Sequence, residues 1–431
     1  MSVASLLEQR RTTAEAVLDH ITPGADVIVG AGNAEPFTVV DVIEAAAGDL
    51  RDVRLHQMLP LRERPCFATG GPGLRHVSWF LTPADRAAFH AGTCDLVPNN
   101  FSEVPLLMRR TTKRSLVVVS VAPPDRHGYF SLGLSADYSA ALIGEAPFFV
   151  EVNHQMPRTF GENQVHISQV AGWCEADYPL TPRPVREGDA LDARIADLVA
   201  ERIPDGATLQ AGIGAVPSLV LERLRDHHDL GIHSEVLADG FVGLVECGAV
   251  TGTRKKTNRN TIVVTACHGN PELVDFVRDN AGVEFWPVDV TNDSRLIGQE
   301  PDMVAINATL EVDFLGQCAS ESLGSHYWSS TGGQLDFGRG ANYAERGQAF
   351  IVLRSTAGPD GEISRIVPQL QPGAAVTTLK NVVDQVVTEH GVAELRGTPI
   401  GERTRRLIAI ADPRHRDELT RRAHDMGYLA G

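Results

Sequence analysis

The chain has 431 residues, 43% hydrophobic and 22% charged, with 40 glycines and 25 prolines. That length allows two or more domains and a core large enough to hold without staples. The formal net charge of −16 excludes the broadly basic surface that nonspecific nucleic-acid binding needs, so no nucleic-acid partner is expected.

Six cysteines, Cys66, Cys94, Cys174, Cys247, Cys267 and Cys318, are scattered without a CxxC pair. This is the usage of a reducing compartment, and a cytoplasmic location is expected. The first twenty residues, MSVASLLEQRRTTAEAVLDH, read as an amphipathic helix with charges throughout and not as a signal peptide. No apolar run reaches membrane-spanning length, so no membrane partner is expected.

Taken in order, ITPGADVIVGAGNAEPF (21–37) reads as a strand meeting a glycine turn. Leu116 to Val121 (LVVVSV) is a buried-strand run that ends in the turn-rich APPDRHGYFSLG. Residues 136–147 read as helix and Phe148 to Val152 as strand. The proline-rich, charged stretch 178–192 is the expected linker. It divides the chain into domains 1–184 and 185–431, the second opening with a helix from about Leu191 to Arg202.

LQAGIGAVPSLVLERL (209–224) repeats the plan: apolar run, glycine pair, helix. The strand GIHSE (231–235) follows it. Further on, TIVVTA (261–266), MVAINATLEVDFLGQ (303–317), Phe350 to Arg354 and Ala374 to Thr378 carry strand patterns. The tail from Glu402 to Tyr428 reads as helix broken at Asp412-Pro413.

The two glycine turns are copies. Ile21, Gly24, Gly30 and Gly32 align with Ile203, Gly206, Gly212 and Gly214, each pair 182 apart (203−21, 206−24, 212−30, 214−32). Pro36 and Pro217 follow at 181, and His56 and His233 at 177. The chain is therefore expected to be α/β, with two similar open-sheet domains built as an internal repeat. Met58 stands where the second copy has Glu235, so a carboxylate site exists once, in the second half.

Glu235, at a strand end facing a glycine turn, has the chemistry of a nucleophile or base; the same residue at a strand–loop junction is also an ordinary surface glutamate. Gly212-Ile213-Gly214 is not a dinucleotide fingerprint, because Pro217 stands where the third glycine belongs. It reads as a tight turn or as backbone N–H groups aimed at an oxyanion or a pantetheine chain. Gly332-Gly333 has the same two readings. His233 reads as structural, the cysteines as incidental thiols, and the histidine spacing matches no metal site.

VAPPDRHGYFSLG (121–133), NHQMPRT (153–159), LQAGIGAVP (209–217), GIHSEVLADG (231–240), MVAINATLEVDFLGQ (303–317), TGGQLDFGRGA (331–341) and VVTEHGVAELRG (386–397) together resemble the acetyl-CoA hydrolase/transferase family, which includes 4-hydroxybutyrate, butyrate and acetate CoA-transferases. The resemblance implies two α/β domains of CoA-transferase type and Glu235 as the residue that attacks an acyl-CoA. It implies that Gly212, Ile213, Gly214, Ala215 and Val216 form the CoA-contacting and oxyanion loop. Leu310 and Gly333, with Gly332 beside it, match positions lining the CoA or acyl pocket. It also implies coenzyme A as substrate, a small carboxylate as partner, no metal or redox cofactor, and a homo-oligomer. The expected activity is CoA transfer through a glutamyl-CoA thioester on Glu235. The alternatives are an acyl-CoA hydrolase using the same glutamate and a non-catalytic CoA-thioester-binding protein. Val236, Ser330 and His268 depart from the family pattern, which bears on the acyl group accepted.

Overall fold

The computed structural model describes residues 2–71, 73–183 and 187–430. Two compact units emerge, one of residues 1–183 with 263–291, the other of 184–262 with 292–431. The expected split at 184/185 falls one residue from the 183/184 break, and residues 263–291 belong to the first unit. Their backbone explains it. Ala136 N–H donates to Thr265 O and Cys267 N–H to Leu134 O, both at 2.8 Å, and Val283–Phe285 pairs in parallel with Phe160–Gly161. The centre of the expected linker, 184–186, lies outside the described residues.

In the first unit, β1 (Asp26–Val29), β2 (Val53–Met58), β3 (Leu74–Phe80), β4 (Cys94–Leu96), β5 (Leu116–Val121), β6 (Phe148–Asn153) and β7 (Val170–Ala176) form a seven-stranded parallel sheet, ordered β7-β6-β5-β1-β2-β3-β4. All six residues of β5 are buried, as its unbroken apolar run predicts for a strand covered on both faces. β1 leads through its glycine turn into α1 (Phe37–Ala45), whose Val39, Val40 and Ile43 pack on the sheet core. The helix expected over 136–147 is shorter, Asp137–Ala141. It is capped at Leu142, and left-handed backbone at Gly144 (φ 84°) turns the chain before Pro147.

The second unit opens with α2 (Ala190–Ala200). Its strands are β8 (Thr208–Ala211), β9 (Gly231–Leu237), β10 (Met303–Ala308), β11 (Gln348–Val352), β12 (Gln385–Thr388) and β13 (Gly391–Glu394), in the order β13-β12-β11-β10-β8-β9. All these pairings are parallel except the terminal hairpin β12–β13. α3 (Ala215–Arg223) follows β8, and α4 (Gln334–Tyr343) precedes β11. Phe337 and Ala341, one turn apart on α4, share a buried cluster with Met303 and Ala305, which face one side of β10. That packing fixes where α4 begins. α5 (Ile400–Ala409) and α6 (Pro413–Asp425) close the chain, separated at Asp412-Pro413 as the sequence predicts.

The strand expected over Ala374–Thr378 is a loop with one isolated bridge, Cys318 to Thr378. The sheet position beside Gln348–Val352 is taken instead by the apolar run at Gln385–Thr388. No described helix is long and apolar enough to cross a membrane.

Candidate active site

The register of the second sheet sets the site. Leu209 on β8 lies opposite Ile232 on β9, so Gly212 and Glu235, each three residues further on, stand level at the carboxyl edge. On the other side Ala211 is level with Ile306, which puts Asn307 beside Gly212. Gly212 N–H donates to Ile306 O at 2.9 Å. The side-chain amides of Gln210 and Asn307 pair with each other at 3.2 and 3.0 Å. In open α/β sheets this edge is where ligands are bound.

The carboxylate of Glu235 is held from two sides. Asn292 Nδ2 donates to Oε2 at 2.7 Å. Against the same oxygen lies the Gly333 backbone: a Cβ there would overlap Oε2 and come within 2.5 Å of Asn292 Nδ2, so any side chain at this position would displace the carboxylate. Gly332 has φ +61°, a conformation that disfavours other residues at this turn. Gly333 is the N-cap of α4 and supplies no side-chain cap. The first amides of the helix therefore have no intrahelical acceptor and carry the positive end of its dipole. Burial, with Asp336 as a nearby like charge, raises the Glu235 carboxyl to about 7; the Asn292 bond opposes that rise. A carboxyl so placed changes charge near neutral pH.

The glycine turns of the two units keep the same first bond and differ at the second. Gly30 N–H donates to Val118 O at 3.0 Å, as Gly212 N–H does to Ile306 O. In the first unit the next amide, Ala31 N–H, donates to the buried Asp137 Oδ2 at 3.2 Å. Met58, the counterpart of Glu235, is 1% exposed, and its N–H donates to the Tyr138 hydroxyl at 3.2 Å. The first turn is thus filled by its own chain. In the second unit the matching amide, Ile213 N–H, has no acceptor among the described residues. Gly214 is the N-cap of α3 without a side-chain cap, and Ala215 and Val216 are its first residues.

Of the residues singled out from sequence, Glu235 and Gly333 meet directly, Gly332 forms the turn before Gly333, and the Gly212 to Val216 turn lies level with Glu235 on the next strand. Leu310 stands two residues past β10, half-buried, its N–H bonded to Ala319 O at 3.0 Å. His233 is buried, its ring edge-on to Phe337 at 6.2 Å. All six cysteines are free. His268 lies in the first unit, its ring pressed against Gly32, and burial with nearby Arg183 lowers it to about 4. Asn292 and Asp336 were not identified from the sequence: neither belongs to a local motif, and their signal is purely spatial.

Among the described residues one group offers three potential metal-ligand atoms within 4.8 Å, His76, Asp85 and Cys94, all in the first unit. Asp85 there completes the capping box of the helix Pro83–His90 and lies 3.3 Å from His76 Nε2. These contacts account for its burial.

Comparison with known proteins gives two family-model matches, the acetyl-CoA hydrolase/transferase N-terminal domain over residues 6–182 and its C-terminal domain over residues 269–423. The chain is 42% identical to a succinyl-CoA:cyclohexane-1-carboxylate CoA transferase of Geobacter metallireducens, over 92% of this chain and 90% of the relative. It is 38% identical to a 4-hydroxybutyrate coenzyme A transferase of Clostridium kluyveri, over 97% and 98%. The crystal structure of RipA from Yersinia pestis superposes with a TM-score of 0.93 at 36% identity, covering 100% of both chains. The chain belongs to the acetyl-CoA hydrolase/transferase family and is an enzyme of the CoA-transferase type.

Proposed function

We propose that the chain moves CoA between an acyl-CoA donor and a small carboxylate acceptor through a glutamyl-CoA thioester on Glu235. The observation that carries this reading is the Glu235 carboxylate, bonded to Asn292 at 2.7 Å and set against the Gly333 backbone. A Glu235 oxygen attacks the thioester carbon, the C–S bond breaks, and CoA thiolate leaves a mixed anhydride. The thiolate then attacks Glu235 Cδ and expels the donor's carboxylate, which leaves the thioester on the enzyme. The acceptor carboxylate attacks Cδ in turn, frees the thiolate, and forms the second anhydride. Attack of the thiolate on the acceptor's acyl carbon gives the new acyl-CoA and restores Glu235. Each step exchanges one acyl bond for another of similar reactivity and balances without a redox partner.

Oxyanions develop at two centres. On the substrate carbon, the free Ile213 N–H and the uncapped start of α4 are the available donors; at Glu235 Cδ, Asn292 Nδ2 already faces Oε2. Losing one such donor typically costs about 10²–10³ in rate. The relatives named for cyclohexane-1-carboxylate and 4-hydroxybutyrate support a monocarboxylate acceptor. Ser330, 6% exposed and two residues before Gly332, departs from the glycine that the family resemblance implies there, which makes it a position to vary when the acyl group accepted is tested.

The test is intact-mass spectrometry after mixing with acetyl-CoA or butyryl-CoA alone. A CoA-sized adduct mapping to Glu235, released by hydroxylamine, is expected. Exchange at full rate with no adduct, or from Glu235→Ala, would remove Glu235 from the reaction. Free CoA released without acceptor as fast as exchange occurs would instead mark a hydrolase.

A further inference from the structure

Glu321 is a carboxylate that the reaction above leaves unused. It is 8% exposed and makes no ion pair among the described residues. Burying a charge this way is costly, and a glutamine would fill the same space without the charge. The partners Glu321 does have lie in the segment that leads to Gly333 and, through Thr377, in the strip facing it. Its Oε2 accepts from Thr331 Oγ1 at 2.8 Å and from Thr377 Oγ1 at 3.2 Å. Its backbone carbonyl accepts from Trp328 N–H at 2.7 Å and Ser329 N–H at 3.2 Å.

The strip on the far side is anchored too. Thr377 N–H donates to Cys318 O at 2.9 Å, and Ser320 N–H donates to Thr377 Oγ1 at 3.0 Å. Gln334, the first residue of α4, reaches Thr378 Oγ1 through Nε2 at 3.0 Å. The loop 328–333 is thus tied at both ends to the 377–378 strip, and Glu321 is the one charged group in the tie. Bonds to an ionised acceptor are roughly twice as strong as neutral ones. Gly332 and Gly333 have no side chains of their own; Gly333 O accepts from Phe337 N–H at 3.0 Å, and on the other side the pair follows directly on Thr331, the residue that Glu321 holds.

We propose that Glu321 is a positioning residue for CoA transfer: through Thr331 it holds the Gly332-Gly333 backbone at the distance from Glu235 that the reaction needs. The proposal rests on the reading of Glu235 as nucleophile. Glu321 touches neither Glu235 nor the reacting atoms; it acts through the loop. Burial raises its carboxyl above the usual range, and the two threonine hydroxyls oppose that rise.

The experiment compares the wild-type chain with Glu321→Ala, Glu321→Gln, Thr331→Val and the double variant Glu321→Ala/Thr331→Val. It reads the single-turnover rate of adduct formation with acyl-CoA alone, the KM for acyl-CoA, and the melting temperature. Thr331→Val preserves volume and removes only the hydroxyl, so it keeps the test open if Glu321→Ala folds poorly. Glu321→Ala and Thr331→Val are each expected to slow adduct formation by up to about 10²-fold, the scale of a 1 Å misplacement, with little change in KM. The double variant is expected to be no slower than the slower single, because both changes cut one tie. Glu321→Gln keeps an acceptor oxygen for Thr331 but not the charge that strengthens the bond, and is expected to fall between the wild-type rate and that of Glu321→Ala. Variants that melt earlier but form adduct at the wild-type rate per folded molecule would overturn the tether alone. A wild-type chain that forms no adduct would overturn the reading of Glu235, and the tether with it.

Discussion

Asn292 donates through Nδ2 to Glu235 Oε2 at 2.7 Å, while Asp336, in the first turn of the helix beside them, acts on the same carboxylate with like charge. The two neighbours pull the Glu235 carboxyl in opposite directions. In the proposed reaction the attacking form is the anion, so kcat/KM for acyl-CoA is expected to rise with pH and level off above about 7, the value to which burial brings this group. Asp336→Asn removes the like charge and should move the rising limb to lower pH. Asn292→Ala removes a donor to the anion and should move it to higher pH, lowering the plateau by about 10²-fold or more. Profiles of kcat/KM against pH for the three proteins decide the matter; displacement of both variants in one direction would contradict the assignment.

Gly333 gives a sharper steric prediction. Its φ of −98° is ordinary backbone, so alanine there meets no conformational strain. The added methyl would instead enter the space of Glu235 Oε2. Gly333→Ala is therefore expected to keep or slightly raise the melting temperature while cutting kcat by about 10²-fold or more. Activity near wild type would mean that the Glu235 carboxylate works from another position.

The parts of this site that could be read from sequence are those written in local spacing. The glycine pairs at 30/32 and 212/214 repeat because each ends a central strand whose next backbone bond is the same, to Val118 or to Ile306. Glu235 stood out because a polar triplet ends an apolar strand opposite such a turn, and the family resemblance supplied its role. Asn292 reaches Glu235 across 57 residues, and Glu321 reaches Thr377 across 56. No periodicity records contacts of that range; they exist only once β9, β10 and α4 have packed. The same limit explains Ala374–Thr378, where a strand-like composition serves as an anchoring strip because the sheet position went to Gln385–Thr388.

Stability carries a second signature of Glu235. A carboxyl held at about 7 when folded, against 4.5 ordinarily, means the folded chain keeps a proton that the unfolded chain releases. The resulting stability is fully present below the unfolded value and is lost as pH rises through about 7. Glu235→Gln cannot ionise. It should melt higher than wild type at pH about 8 and show no such gain at pH about 4, the difference being bounded by about 3 kcal/mol. Thermal melts of both proteins across that range provide the check, and a gain confined to acid pH would reverse the sign.

Asp137 is expected to matter for folding and not for the chemistry at Glu235. It is fully buried at φ +39°, and burial raises its carboxyl to about 6. The strain is offset by three donors: Ala31 N–H at 3.2 Å, Ser135 Oγ at 2.8 Å and Ser139 N–H at 2.5 Å. Asp137→Ala would keep the positive φ and leave those groups without their acceptor, so a loss of about 3 kcal/mol or more is expected. Asp137→Asn, which tolerates left-handed backbone and retains one acceptor oxygen, should lose less. Both melting temperatures should fall in that order, while the protein that remains folded forms adduct at Glu235 at the wild-type rate. An Asp137→Ala chain as stable as wild type would show that the first-unit turn does not depend on the carboxylate that fills it.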